Sequence, residues 1–295
     1  MIWVAWRQQR LSVLTIAGIV LLLVATLVYV RVDVTSLLPD KDLVSDKYSV
    51  FMNGFSVVMI ALPPLAGMFT GAPLFAREIE QGTHIFGLTQ SVSRRRWLAT
   101  KLVLAGGSLV VSMFILGLVA AWALDPVNFV TMSSKLSSPL FEIQGLTVGV
   151  YSLLAFAIGT IAGLLLRNTL AAMVVTLVAY TVLVAGAIAI RPYYAEPTRI
   201  EATFASGQWD VPALDQWTMG NGLLDANGKE VVDTSALAEC RSVDCLRERG
   251  IVAAFTDVHL PGQFWRFQLT DLGLFLLLSA GVFGVGMRLA RRRLT

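Results

Sequence analysis

The sequence predicts an all-α polytopic membrane protein: six transmembrane helices, both termini inside the cell, and a small mixed external segment between spans five and six. Three observations lead there: the composition, six long charge-free stretches, and an uneven distribution of basic residues. Of the 295 residues, 56% are apolar and only 15% are charged, whereas a soluble domain carries about 25% charged residues. This composition excludes a disordered chain, a fibrous repeat and a conventional cytosolic enzyme.

The charge-free stretches have the length that a bilayer requires. A membrane-spanning helix needs about 20 mostly apolar residues. The predicted spans are residues 11–30, 50–75, 102–124, 143–166, 168–190 and 272–287. Arg7 and Arg10 precede the first span as they would precede a signal peptide. That span is longer than a signal core and no small-x-small cleavage site follows it, so we interpret it as retained.

The basic residues predict the orientation. With the N-terminus inside the cell, the inner segments hold 12 basic residues and two acids, and the outer segments hold 11 basic and 18 acidic residues. Inner loops of membrane proteins carry the excess of Lys and Arg. We therefore expect a multi-pass protein of the cell membrane with both termini in the cytoplasm. The net charge of +3 gives no reason to expect nucleic acid as a partner.

The chain divides into four parts on this interpretation. Residues 1–10 are expected to form an interfacial helix. Residues 11–190 hold spans one to five, together with a cytoplasmic segment at 76–101. Residues 191–267 form the external segment, and residues 268–295 hold span six and a basic tail.

None of the six predicted spans contains Asp, Glu, Lys, Arg or His. Ion-coupled transporters and proton pumps place ionisable groups near the middle of the membrane. We therefore expect that any transport draws its energy from elsewhere. Pairs of glycines four residues apart, such as Gly67 with Gly71 and Gly159 with Gly163, favour close helix packing.

The cytoplasmic segment at 76–101 is the most informative stretch. It reads AREIEQGTHIFGLTQSVSRRRWLATK and alternates polar and apolar residues around Gly82 and Gly87. The arginines at 94–96 are placed to meet anionic lipid headgroups. A simple hairpin that only fixes topology is the alternative, and for the arginines alone it is the better interpretation. For the whole segment it is not, because 26 residues are more than topology requires.

The sequence resembles a permease subunit of the type 2 ABC exporters, particularly of the actinobacterial kind. Four features carry the resemblance: WVAWRQQR at 3–10, similar to an elbow helix; AREIEQGT at 76–83, similar to an acidic E-x-G-T stretch; SVSRRRWLATK at 91–101, similar to a run that leads into the third helix; and a large external segment before the last of six spans.

The resemblance implies a coupling segment that docks on a separate ATP-binding subunit. Carried over by position, its residues are Arg77, Glu78, Glu80, Gln81, Gly82, Thr83 and His84. The chain has no G-x-x-x-x-G-K-[ST] motif of its own, so ATP and Mg²⁺ are expected in the partner and no cofactor in this chain. The implied assembly contains two ATP-binding subunits and two permeases, and a homodimer is its simplest form.

The external segment contains both cysteines of the chain. A disulfide between Cys240 and Cys245 is the favoured interpretation on an oxidising exterior, and two unpaired thiols are the alternative. A bridge over five residues requires a turn between them. LLDANGKEV at 223–231 predicts a turn between two short extended pieces. No metal site is expected, because His259 is distant and a fourth ligand is missing.

The favoured function is the membrane subunit of an ATP-driven exporter for an apolar or amphipathic substrate such as a drug, an antibiotic or a lipid. A non-transport scaffold or immunity-type protein of the same fold is the alternative. A membrane-embedded enzyme is the least favoured reading, because no clustered nucleophiles, acids or metal ligands occur at membrane depth. No catalytic residue is therefore assigned.

Overall fold

The described part of the chain contains seven α-helices, one small sheet and three short 3-10 helices, at Asp125–Thr131, Arg191–Tyr194 and Pro261–Gln263. The computed structural model describes residues 2–38, 40–81, 94–131, 133–203, 215–231, 240 and 243–294. The helices are α1 (Ile2–Leu37), α2 (Lys41–Glu80), α3 (Arg94–Leu124), α4 (Thr147–Leu166), α5 (Thr169–Ile190), α6 (Val243–Glu248) and α7 (Phe264–Leu294). The strands are β1 (Thr198–Thr203), β2 (Trp217–Asp225), β3 (Glu230–Val231) and β4 (Ile251–His259).

Among the described residues, six helices are long and apolar enough to cross a membrane. The predicted six-helix fold is therefore confirmed. The stretch expected as a separate elbow helix continues without a break from Ile2 into α1. At 40 residues, α2 extends about 60 Å, twice the thickness of a bilayer's hydrocarbon core. Pro63, Pro64 and Pro73 lie inside it, and each removes a helical hydrogen bond.

Helix α4 lies at the centre of the bundle and packs against α2, α3, α5 and α7. Its small residues allow this, because glycines let helix backbones approach closely. A Cβ atom on Gly163 would lie 2.5 Å from the Ala72 carbonyl oxygen of α2. Helices α1 and α5 lie at the periphery, where most of their apolar residues remain exposed.

The bundle has two ends, which we name by what they carry. The terminal end holds the start of α1, the end of α2, the start of α3 and the turn between α4 and α5. In that turn, Arg167 adopts the left-handed conformation. Asn168 is the N-cap of α5, and its side-chain Oδ1 accepts a hydrogen bond from Ala171 N. The sheet end holds the opposite helix ends and the sheet, so that the segment after α5 continues directly into β1.

The sheet is antiparallel, with strand order β1–β4–β2–β3. The predicted turn at 223–231 is confirmed: residues 226–229 connect β2 to β3. One face of the sheet packs Leu223 and Ile251 against Cys240 and Leu246. The predominantly helical fold therefore includes a small β element between α5 and α7, as expected for the mixed segment.

An ion pair joins β1 to β4, and it makes the stability of the sheet depend on pH. Arg199 on β1 donates two hydrogen bonds, of 2.8 and 2.9 Å, to the carboxylate of Asp257 on β4. These hydrogen bonds lower the pKa of Asp257 below its ordinary value of 3.8. Because the folded state favours the carboxylate, its stabilisation is complete above that ordinary value and is lost as the pH falls through the lowered one.

We expect the wild type to unfold at a higher temperature than Asp257→Asn at about pH 6. This difference is expected to shrink as the pH falls below 3.8 and through the lowered pKa of Asp257. Thermal unfolding in detergent at a series of pH values measures it. The effect should be small and should weaken in high salt, because the pair is partly exposed. Parallel stability curves for the two proteins would contradict the assignment.

Candidate functional site

The end of α2 is bound to the turn that precedes α5. Both carboxylate oxygens of Glu80 accept hydrogen bonds from Thr169: Oε1 from the backbone N at 2.9 Å and Oε2 from Oγ1 at 2.7 Å. Thr169 is the first residue of α5, where backbone N–H groups lack helical acceptors and favour a negative charge. Glu80 therefore connects the last turn of α2 to the first turn of α5.

A second polar contact connects the same end of α2 to α3. Glu78 forms an ion pair with Lys101, and the Lys101 side chain is almost fully buried. Charge-assisted hydrogen bonds of this kind are stronger than neutral ones. Since Glu78 and Glu80 lie two residues apart, the last turn of α2 is fastened to two other helices at once.

The residues predicted for coupling divide into two groups. Arg77 and Gln81 are exposed at the terminal end, beside the two contacts just described. Gly82, Thr83 and His84 lie outside the described residues. Both carboxylate oxygens of Glu80 accept hydrogen bonds from Thr169, so the direct contact of this side chain is with α5. Thr169 could not be predicted as the partner of Glu80 from the sequence, because the two residues are 89 positions apart.

A buried polar cluster lies at the sheet end of the bundle. Arg191, at the end of α5, is 1% exposed and donates to Glu142 Oε1 at 2.7 Å. Its other terminal nitrogen lies 3.8 Å from Asp271 Oδ2 on α7. Tyr151 and Tyr194 donate hydrogen bonds of 2.7 and 2.5 Å to the two oxygens of Asp271. One guanidinium and two carboxylates thus join α4, α5, α7 and the segment before α4.

This cluster corrects the expectation of a bundle without ionisable groups. Span six was predicted to begin at residue 272, immediately after Asp271. In the structure α7 begins at Phe264, so Asp271 lies in its second or third turn and is fully buried. A helix can bury polar side chains such as Gln268 and Asp271 when neighbouring segments supply their hydrogen-bond partners. Apolar residues at 264, 265, 267 and 269 of FWRFQLTD were the sequence signal that the last helix begins before residue 272.

Gln268 on α7 completes the start of α4. Its Oε1 accepts hydrogen bonds from Leu146 N and Thr147 N at 2.7 and 3.1 Å. Its Nε2 donates to the Phe141 and Gln144 carbonyl oxygens. The first N–H groups of a helix have no partner within that helix, and no side chain from α4's own N-cap supplies one. Gln268 therefore fixes α7 against α4.

The two cysteines are joined. Cys240 and Cys245 form a disulfide with Cα atoms 5.5 Å apart. Cys245 lies in α6, and Cys240 packs against the sheet beside Leu246. The bridge holds α6 to the sheet locally and contributes little to global stability, because closing a loop this short removes little chain entropy from the unfolded state.

Comparison with known proteins identifies the family. The model of a family described as ABC-2 membrane transporter related matches residues 17–191, which is more than half of the chain. The chain belongs to this ABC-2 family. No curated protein and no solved structure matches it.

Membership in the ABC-2 family confirms the predicted ABC-2 type permease, and the actinobacterial kind stays a prediction. With six membrane-length helices, the chain is a multi-pass membrane protein of permease type. Proteins of the ABC-2 family are normally non-catalytic and typically pair with an ATP-binding subunit. The matched region begins at Ala17, within α1, and ends at Arg191, after α5, so the sheet and α7 lie beyond it.

Proposed function

We propose that the chain is the membrane subunit of an ATP-driven exporter and that the end of α2 couples it to a separate ATP-binding subunit. The observation that carries the proposal is the double attachment of that end, to α3 through Glu78 and to α5 through Glu80. A displacement of the segment after α2 would pull on three helices together. The family resemblance supports the outward direction of transport.

The partner in this proposal supplies ATP binding, Mg²⁺ and hydrolysis. Two such subunits act with two copies of this chain, a homodimer in the cell membrane with its termini in the cytoplasm. Closure of the ATP-binding subunits would press on the exposed Arg77 and Gln81 and on the segment that follows. Because α4 is central and contacts α2 and α5, motion at the terminal end reaches the middle of the bundle.

An apolar groove supports an apolar or amphipathic substrate. It has a volume of about 480 Å³ and lies between α3, α4 and α7. Its lining is formed by apolar residues and two glycines, with Val110, Phe156 and Phe283 at its walls. Such a surface has no side-chain hydrogen-bond partner or counter-charge for a buried charge, so it favours molecules with a large apolar surface.

Co-purification from the native host tests the proposal. The tagged wild-type chain, extracted in detergent, is expected to bring down an ATP-hydrolysing partner. Gly82→Trp is expected to abolish that capture, because a bulky side chain blocks close approach of the partner. If no ATPase accompanies the wild type, the exporter proposal fails and a non-transport role becomes the better account.

Glu80→Ala separates coupling from docking. Since Glu80 contacts Thr169, the variant is expected to retain the partner. ATP hydrolysis by the complex is expected to fall about tenfold, within the usual range of coupling between two sites, because the contact that joins α2 to α5 is lost. Glu196→Ala, which changes an exposed acid at the sheet end, is the matched control. Equal activity of the two variants would contradict the coupling role of Glu80.

A further inference from the structure

A second cavity, of about 410 Å³, lies at the terminal end between α1, α2 and α3. We name it the terminal-end cavity. Its inner part is mostly apolar and includes Val13, Ile16 and Phe69. The Thr70 and Ser108 hydroxyls also line the cavity, but each donates to a carbonyl oxygen of its own helix. Its outer part is polar and includes Gln9, Arg77 and Lys101. A cavity with one apolar and one polar part matches an amphipathic molecule.

The Gln9 side chain indicates that a polar ligand belongs there. Gln9 is only 8% exposed, and it lines the cavity. Neither its amide oxygen nor its amide nitrogen has a hydrogen-bond partner in the part of the chain that the structure describes. Buried polar side chains are almost always hydrogen-bonded. The Gln9 amide therefore indicates that a bound molecule supplies its hydrogen-bond partner.

The charges of the outer part indicate the sign of that ligand. Lys101 and Glu78 both line the cavity and form an ion pair with one another. Arg77 contributes a further positive charge, which leaves the lining with a net charge of +1 from these three side chains. A guanidinium presents two parallel donors that match a phosphate or a carboxylate.

The depth of the cavity favours a lipid. Trp6 and Trp3 of α1 are exposed about one and two turns before Gln9, and such rings concentrate at the membrane interface. The polar part therefore lies at the level of headgroups and the apolar part at the level of acyl chains. We propose that the terminal-end cavity binds one anionic phospholipid, with its phosphate at Arg77 and Gln9 and an acyl chain along Ile16 and Phe69.

Native mass spectrometry of the full chain in detergent tests this without any ATP-binding partner, so its outcome is independent of the proposed function. Phosphatidylglycerol and phosphatidylcholine with the same acyl chains are added in turn. We expect one phosphatidylglycerol to remain bound under conditions that remove phosphatidylcholine. Arg77→Gln and Gln9→Leu are each expected to weaken this binding about tenfold, since each removes a group that contacts the phosphate.

The matched control is Arg288→Gln, which removes an exposed arginine of α7 that does not line the cavity. It is expected to leave the binding unchanged. An equal loss in this control, or equal retention of both lipids, would overturn the proposal. Displacement of the lipid by millimolar inorganic phosphate would also overturn it and assign the site to a free anion. Gln9→Leu should fold, because an apolar residue replaces an unpaired buried amide, and thermal unfolding checks this.

Discussion

Replacing Arg191 with methionine is expected to lower the free energy of unfolding by about 3–5 kcal/mol. The guanidinium is the positive partner of two buried carboxylates, Glu142 and Asp271. Its Cζ atom also lies 4.0 Å from the Phe141 ring centroid. Removing it leaves both acids buried without a counter-charge, and the loss of a charge from a buried pair costs more than the pair itself contributes. Thermal and chemical unfolding in detergent measure the change.

A compensated variant distinguishes this explanation from a simple packing defect. Arg191→Met combined with Glu142→Gln and Asp271→Asn removes all three charges and retains most of the side-chain volume. We expect it to recover most of the lost stability, because apolar or neutral replacements of a buried ion cluster are often close to neutral. If the triple variant is as unstable as the single one, uncompensated charge is not the cause.

Gly67→Val is expected to destabilise the bundle by about 3 kcal/mol, the upper end of the usual range for overpacked cores. Gly67 lies where α2 crosses α4. A Cβ atom there would lie 2.5 Å from Ala155 Cβ and 2.7 Å from Phe156 N. The second contact is with helix backbone, which cannot move aside as a side chain can. The two central helices would have to separate, and unfolding in detergent measures the cost.

Gly54→Val is the matched control for this prediction. It lies on α2 as well, and a Cβ atom at Gly54 has no neighbour within 4 Å. We expect its stability to remain close to that of the wild type, since valine is slightly better than glycine within a helix. Similar losses at both positions would show that α2 responds to helix propensity rather than to its crossing with α4.

The membrane architecture could be predicted from the sequence because its signal is local. Each span is a run of apolar residues, and a run of that length has few alternatives in a bilayer. The turn between β2 and β3 was predictable for a similar reason, because a short polar stretch with Asn227 and Gly228 encodes its own conformation. The family match over residues 17–191 covers most of the first of these runs and all of the next four.

The polar contacts could not be predicted because they join residues far apart in the chain. Glu80 and Thr169 are separated by 89 residues, and Arg191 and Asp271 by 80. Each of these residues lies at the edge of an apolar run, where a polar or charged residue is common and does not by itself indicate a buried partner. Only the arrangement of the helices shows that these edges meet inside the protein.

Hydrophobicity along the chain is enough to establish the class of this protein, the number of its spans and the polar character of the segment after α2. The packing of the helices establishes which of them is central, how the end of α2 is attached to α3 and α5, and where buried charges pair. These contacts depend on folding because a buried charge or amide is stable only beside a suitable partner, and the fold brings that partner within reach.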